Sequence, residues 1–62
     1  MYATLVTMTK EEMLNQVIKA CGFEDAFTIE FSHAVERDDL TIEQLAFIAE
    51  AIIMYGFAAY GE

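Results

Sequence analysis

Glu30 and His33 stand three residues apart, so on a helix both side chains leave the same face. This is the Glu-x-x-His spacing by which ferritin-like carboxylate bundles present a glutamate and a histidine to a pair of metal ions. Such a site is complete only with further glutamates from facing helices, for which Glu50 or a second copy of the chain would have to serve. The plainer reading makes His33 a boundary residue beside Glu30 and Arg37 at the edge of a core. One histidine and one cysteine cannot complete a structural zinc site within a single chain. No cofactor and no resident metal are expected, with Glu30 and His33 the candidate ligands if that expectation fails.

Nucleophilic chemistry has little to work with. Cys21 continues an apolar helical stripe, which makes it a small buried hydrophobe before it is a nucleophile. A catalytic thiolate needs a base, and nothing in the spacing places His33 beside it. Ser32 has no hydrolase setting, and Gly22, Gly56 and Gly61 do not form a phosphate-cradling loop. No enzymatic activity is expected.

The carboxylates are more informative. Eleven Asp and Glu against three Lys and Arg give a net charge of −8, which repels phosphate backbones and anionic bilayers. Direct binding to nucleic acid and association with membranes are therefore not expected. Glu36, Asp38 and Asp39, joined by Glu43, make an acidic corner ahead of the last helical segment. It either solvates a turn and complements the positive end of the next helix, or imitates phosphates toward a partner with a basic surface. Glu43 and Glu50, seven residues apart, nearly superpose on a helix that is otherwise apolar. They mark its solvent strip, or a rim that accepts from a partner's Lys or Arg.

Three helices are expected to position these residues, over approximately 10–21, 26–37 and 42–55 or longer. A short extended amino-terminal segment precedes them, and the whole is read as a compact all-α fold in one small domain spanning 1–62. Thr9 and Glu12 form a capping box in which the hydroxyl accepts from the Glu12 amide and the carboxylate reaches back, with Met8 and Met13 as its hydrophobic staple. Met13, Leu14, Val17, Ile18 and Cys21 then follow one apolar stripe. Gly22 is suited to the left-handed stop, with Phe23 folding back on Ile18. The stretch from Phe27 to Phe31 alternates as a half-buried strand would, yet Phe23, Phe27, Phe31, Ala34 and Val35 make a longer helical stripe. Asp25 is a plausible N-cap, and the helix is the preferred reading. Thr41 and Gln44, between Leu40 and Leu45, repeat the opening device of the first helix. Met1 to Met8 is rich in β-branched and apolar residues and is read as an extended lead-in over the hydrophobic surface, or as an arm exchanged between subunits.

The last helix has too little polar surface to be covered easily. Stepping about 100° per residue from Leu45 places Ile42, Leu45, Ile48, Ala49, Ile52, Ile53 and Tyr55 on one broad face. Phe47, Ala51 and Met54 fall on the opposite side, beyond the reach of the first two helices. Those three residues are the candidate interface, with Glu43 and Glu50 as its polar rim. Gly56 could end the helix or be carried through into Tyr60, since glycine costs only about 1 kcal/mol relative to alanine. Residues 45 to 60 are apolar enough to be weighed as a membrane span, but they are short, contain Glu50 and lack flanking cations.

Size turns this surplus of apolar surface into a functional expectation. A chain of 62 residues, 56% of them hydrophobic, has a core that supplies only about 3–5 kcal/mol. One cysteine rules out an intramolecular disulfide, which leaves association as the remaining source of stability. The expectation is a homo-oligomer, a dimer in the first instance, acting as a small acidic protein–protein interaction module of accessory or regulatory type. An acidic inhibitor or nucleic-acid mimic for a basic groove is the alternative, and a Glu-x-x-His metal bundle the third. The free cysteine and the absence of a charged leader fit a cytoplasmic protein.

Overall fold

The computed structural model describes residues 1–60, and the regular structure among them is helical throughout. Four helices follow one another: α1 (Tyr2–Leu5), α2 (Lys10–Cys21), α3 (Ala26–Arg37) and α4 (Ile42–Tyr60). The last three are the helices expected from the sequence, and the strand considered at Phe27 to Phe31 is instead the body of α3. The first is a correction, because the amino-terminal segment is wound rather than extended. Leu5 N–H donates to the Met1 carbonyl at 3.0 Å and Val6 N–H to that of Tyr2 at 3.0 Å. Its β-branched residues favour extension only weakly. A single turn satisfies the backbone locally and seats Leu5 in the core, which outweighs that preference.

Local chemistry starts each of the longer helices. At α2 the Thr9 hydroxyl accepts from Glu12 N–H at 3.1 Å, and the Glu12 carboxylate accepts from Thr9 N–H at 2.8 Å. At α4 the Thr41 hydroxyl accepts from Gln44 N–H at 3.1 Å, and the Gln44 amide oxygen accepts from Thr41 N–H at 2.9 Å. Asp25 caps α3 by accepting from Phe27 N–H at 2.8 Å. Each reciprocal pair satisfies two donors that the first helical turn leaves without partners.

The helix stops are less regular than the starts. Gly22 has φ 93° and ψ 162°, a conformation open essentially to glycine alone but outside the left-handed helical well. The extended ψ carries the chain away from α2, so Phe23 does not fold back on Ile18 and is 76% exposed. Asp38 ends α3 in the left-handed region, at φ 58° and ψ 33°, where a short polar side chain is tolerated. Its carboxylate pairs with Lys10, joining the end of α3 to the beginning of α2.

The core gathers Leu5, Met13, Val17, Phe31, Leu45 and Ile53, one or more from every helix. Helix α4 is its spine: at 1.5 Å per residue its length is about 28 Å, close to the 30 Å long dimension of the molecule. The shortest dimension is 14 Å, room for two layers of helices and no more. An apolar rod in such a slab is covered from one side. Its closest neighbour is α2, and the reason is Gly56. A Cβ there would lie 2.7 Å from the Ala20 carbonyl oxygen and 2.6 Å from Cys21 Sγ, so only glycine lets the two backbones approach this far. Gly56 is therefore carried through, and α4 runs on to Tyr60.

Candidate interaction surface

The inner side of α4 buries Leu45, Ala46, Ala49, Ile52, Ile53 and Gly56. With Leu45 at zero, these positions centre near 40° on the wheel, displaced from the face drawn on the sequence. The displacement corrects two assignments. Ile48 and Tyr55, expected to be covered, are exposed at 37% and 44%, while Ala46 is fully buried. Leu5 and Ile53 line a common cleft with Met8 and Phe57, so α1 covers the flank that an extended arm would have left partly open.

The outer side is where the candidate interface residues lie. Phe47 is 68% exposed and Met54 58%, with Ala51 exposed between them. Ile48 and Tyr55 widen the strip toward α3, and Phe27 of α3 continues it. The Phe27 and Tyr55 rings meet edge to face with centroids 5.0 Å apart. Between α3 and α4 runs an open groove of about 500 Å³, floored by Phe31, Ala34 and Ile52 and walled by Phe27, Phe47 and Ile48. Among the described residues Glu30 and Arg37 supply its only charged groups. A shallower depression on the far side of Phe47 and Ile48 is bounded by Tyr2 and Leu40. The two residues thus form a ridge between two hollows.

The carboxylates divide into two sets. Asp38 is paired with Lys10, and Asp39 lies 3.7 Å from the Arg37 guanidinium, so part of the acidic corner is answered by the chain's own cations. These contacts are exposed and contribute little to stability. Glu36 and Glu43 are exposed and Glu50 is half-buried, and among the described residues none of the three enters an ion pair. Glu43 and Glu50 border the Phe47–Met54 side of the strip, away from α3.

At the carboxyl end of α4 an aromatic chain ties that helix to α3. Tyr60 stacks edge to face on Tyr55, with centroids 6.2 Å apart, and its hydroxyl donates to the Asp25 carboxylate that caps α3. The Tyr60 hydroxyl, and after it the Phe27 amide, hold the Asp25 carboxyl below the usual carboxylate range. The same bond is the main cause that pushes the Tyr60 phenol up to about 12. Cys21, nearby, points its thiol at the Ile52 carbonyl at 3.5 Å. Burial first, and the Asp25 charge second, raise its pKa, which favours the thiol over the nucleophilic thiolate.

Glu30 and His33 share the outer surface of α3, both exposed. Among the described residues no group of three or more His, Cys, Asp or Glu is gathered that could hold a metal ion, so Glu50 is not brought to them within this chain. Helix α4 is long and apolar enough to cross a membrane by length and composition, with a mean hydropathy of 1.4 and 33% of its apolar window buried. It also carries Glu43 and Glu50, and carboxylates at bilayer depth are costly.

Sequence reasoning found Phe47, Ala51 and Met54 but missed Ile48, Tyr55 and Phe27 as members of the same strip. The signal that could have placed them is the pair of small residues Ala49 and Gly56, seven apart on one side of the helix. Small residues mark where another helix comes closest, and they point away from Ile48 and Tyr55. No protein-family model matches the chain, and neither the curated proteins nor the solved structures include a significant match to it.

Proposed function

We propose that the protein is a small homo-oligomeric interaction module, in the first instance a dimer, which associates through the outer face of α4 and acts as an accessory or regulatory protein rather than as an enzyme. One observation carries this reading: Phe47, Ile48, Met54 and Tyr55 are large apolar residues exposed side by side on one helix. Scattered apolar residues are ordinary on a protein surface, but a contiguous strip rimmed by carboxylates marks a site of association. Burying it supplies stability that a core of this size lacks.

Light scattering at micromolar concentration tests the reading, with at least a dimer expected. Phe47→Glu should give a monomer that keeps its helical circular dichroism, because Phe47 has no role in the core. Ile52→Glu, by contrast, introduces a charge at a position 8% exposed and should unfold the chain. A folded wild-type monomer at these concentrations would refute oligomerisation.

A protein partner with a basic surface is the second reading, favoured by Glu43 and Glu50 standing beside the apolar strip with no cation paired to them among the described residues. Affinity for such a partner would fall as ionic strength rises. The two readings are thus separable by salt. Flotation with neutral vesicles checks the assignment of the strip to protein rather than lipid, with the protein expected to stay in the aqueous fraction.

A further inference from the structure

Four exposed positions on α4 follow a heptad seam: Phe47, Ala51, Met54 and Ala58, spaced by four, three and four residues. The seam carries no charge and alternates large with small side chains. It lies on the side of α4 opposite the one packed on α2, and its first two residues, Phe47 and Ala51, also line the open groove beside α3. The flanks of this seam are unlike. On the α3 side stand Ile48 and Tyr55, with Phe27 behind them. On the other stand Glu43 and Glu50, followed one heptad later by Phe57, 44% exposed.

We infer that two copies pair α4 against α4 in antiparallel orientation, with the two-fold axis passing beside Ala51. This rests on the dimeric reading above and specifies its geometry. A second copy suits the face by area. The exposed parts of Phe27, Phe47, Ile48, Met54 and Tyr55, between 37% and 68% of each residue, amount to on the order of 500 Å². Two such faces bury on the order of 1,000 Å², the lower bound for a specific interface.

Orientation follows from the unlike flanks. A two-fold axis perpendicular to the helices brings each flank against the same flank of the partner. Ile48 then lies by Tyr55 of the partner subunit, apolar on apolar, and the Glu50 side chains of both copies remain at a solvent edge into which they can splay. A parallel pair would instead press Glu43 and Glu50 against the partner's Ile48 and Tyr55, desolvating carboxylates with nothing to answer them. In the antiparallel seam Phe47 meets the partner's Met54, a favourable sulfur–aromatic pairing, while Ala51 meets its own symmetry mate and lets the helices close. Opposed helix dipoles act in the same direction.

Cysteine cross-linking reads this geometry directly. In a Cys21→Ala background, Ala51→Cys places two thiols across the axis within disulfide reach. Ala58→Cys places them roughly 20 Å apart along the helices. Both alanines are exposed, so neither change disturbs the fold, which circular dichroism verifies. Under mild oxidation Ala51→Cys should convert almost entirely to a reducible covalent dimer, with Ala58→Cys no higher than a control at exposed Ala3. Cross-linking of both positions would mean a parallel pair and overturn the inference, as would cross-linking of neither in a chain that scatters as a dimer. In both cases the dimeric reading itself survives. A parent chain that scatters as a folded monomer removes the two together.

Discussion

The two sides of α4 both carry large apolar residues and meet opposite environments. The inner side carries Ala46, Ala49 and Gly56 among its larger aliphatics, all buried; the outer side carries Phe47, Met54 and Tyr55, all exposed. The aromatic residues and the methionine of this helix face solvent while its glycine and two of its alanines share the core with Leu45, Ile52 and Ile53, so size alone does not decide which residues are covered. The difference lies in neighbours. On the inner side backbones come close enough that even one added carbon at Gly56 would overlap the Ala20 carbonyl. Small side chains are the condition for that approach, and dispersion contacts with the partner helices replace the area they lack. On the outer side the described residues offer only the Phe27 and Tyr60 rings, edge to face on Tyr55, and Phe47 and Met54 remain more than half exposed, free for something that docks.

The sharpest way to break this comparison is to delete equivalent bulk from each side. Leu45→Ala removes a fully buried side chain and should cost about 2–5 kcal/mol in urea unfolding. Phe47→Ala should change monomer stability by no more than about 0.5 kcal/mol, acting on association instead. Equal losses at the two positions, measured at a concentration low enough to dissociate any dimer, would abolish the distinction between the faces.

Gly56→Ala probes the inner side more finely, because it adds a single methyl against the Cys21 sulfur and the Ala20 backbone, and the backbone cannot swing away. A destabilisation of about 1–3 kcal/mol is expected, although alanine is intrinsically the better helix former by about 1 kcal/mol. A stabilised variant would mean that α2 and α4 can separate without loss. The smallest effect belongs to the latch at the edge of the outer strip. Tyr60→Phe keeps the ring on Tyr55 and deletes only the bond to Asp25, so its urea midpoint should fall slightly at pH 7. A carboxyl held low in the folded chain contributes above the ordinary carboxylate range, and that contribution fades as pH falls through the depressed value. A phenol held high contributes below 10.0 and fades as pH rises toward about 12. The gap between wild type and Tyr60→Phe should therefore narrow as pH falls below the ordinary carboxylate range, and a gap that stayed constant through that fall would assign the effect to ring packing.

Thr9 with Glu12, Thr41 with Gln44, and Asp25 with Phe27 could be read from the sequence because each cap closes within a few residues and needs no distant partner. The same holds for the three long helices, whose apolar stripes extend well past any strand alternation. Phe47, Ala51 and Met54 were legible as an uncovered set because two short stripes cannot enclose an apolar rod. What only the tertiary structure decided is which edge of that rod turns inward. Ile48 and Tyr55 lie as far round the wheel from Leu45 on one side as Ala46 and Ile53 lie on the other, and periodicity cannot choose between the two. The choice was made by interaxial distance at Gly56 and by α1, a turn whose composition suggests extension but whose Leu5 is buried against α4. Caps are local hydrogen bonds and are written in adjacent residues; burial is a contest among distant surfaces, settled by whichever neighbours can come closest.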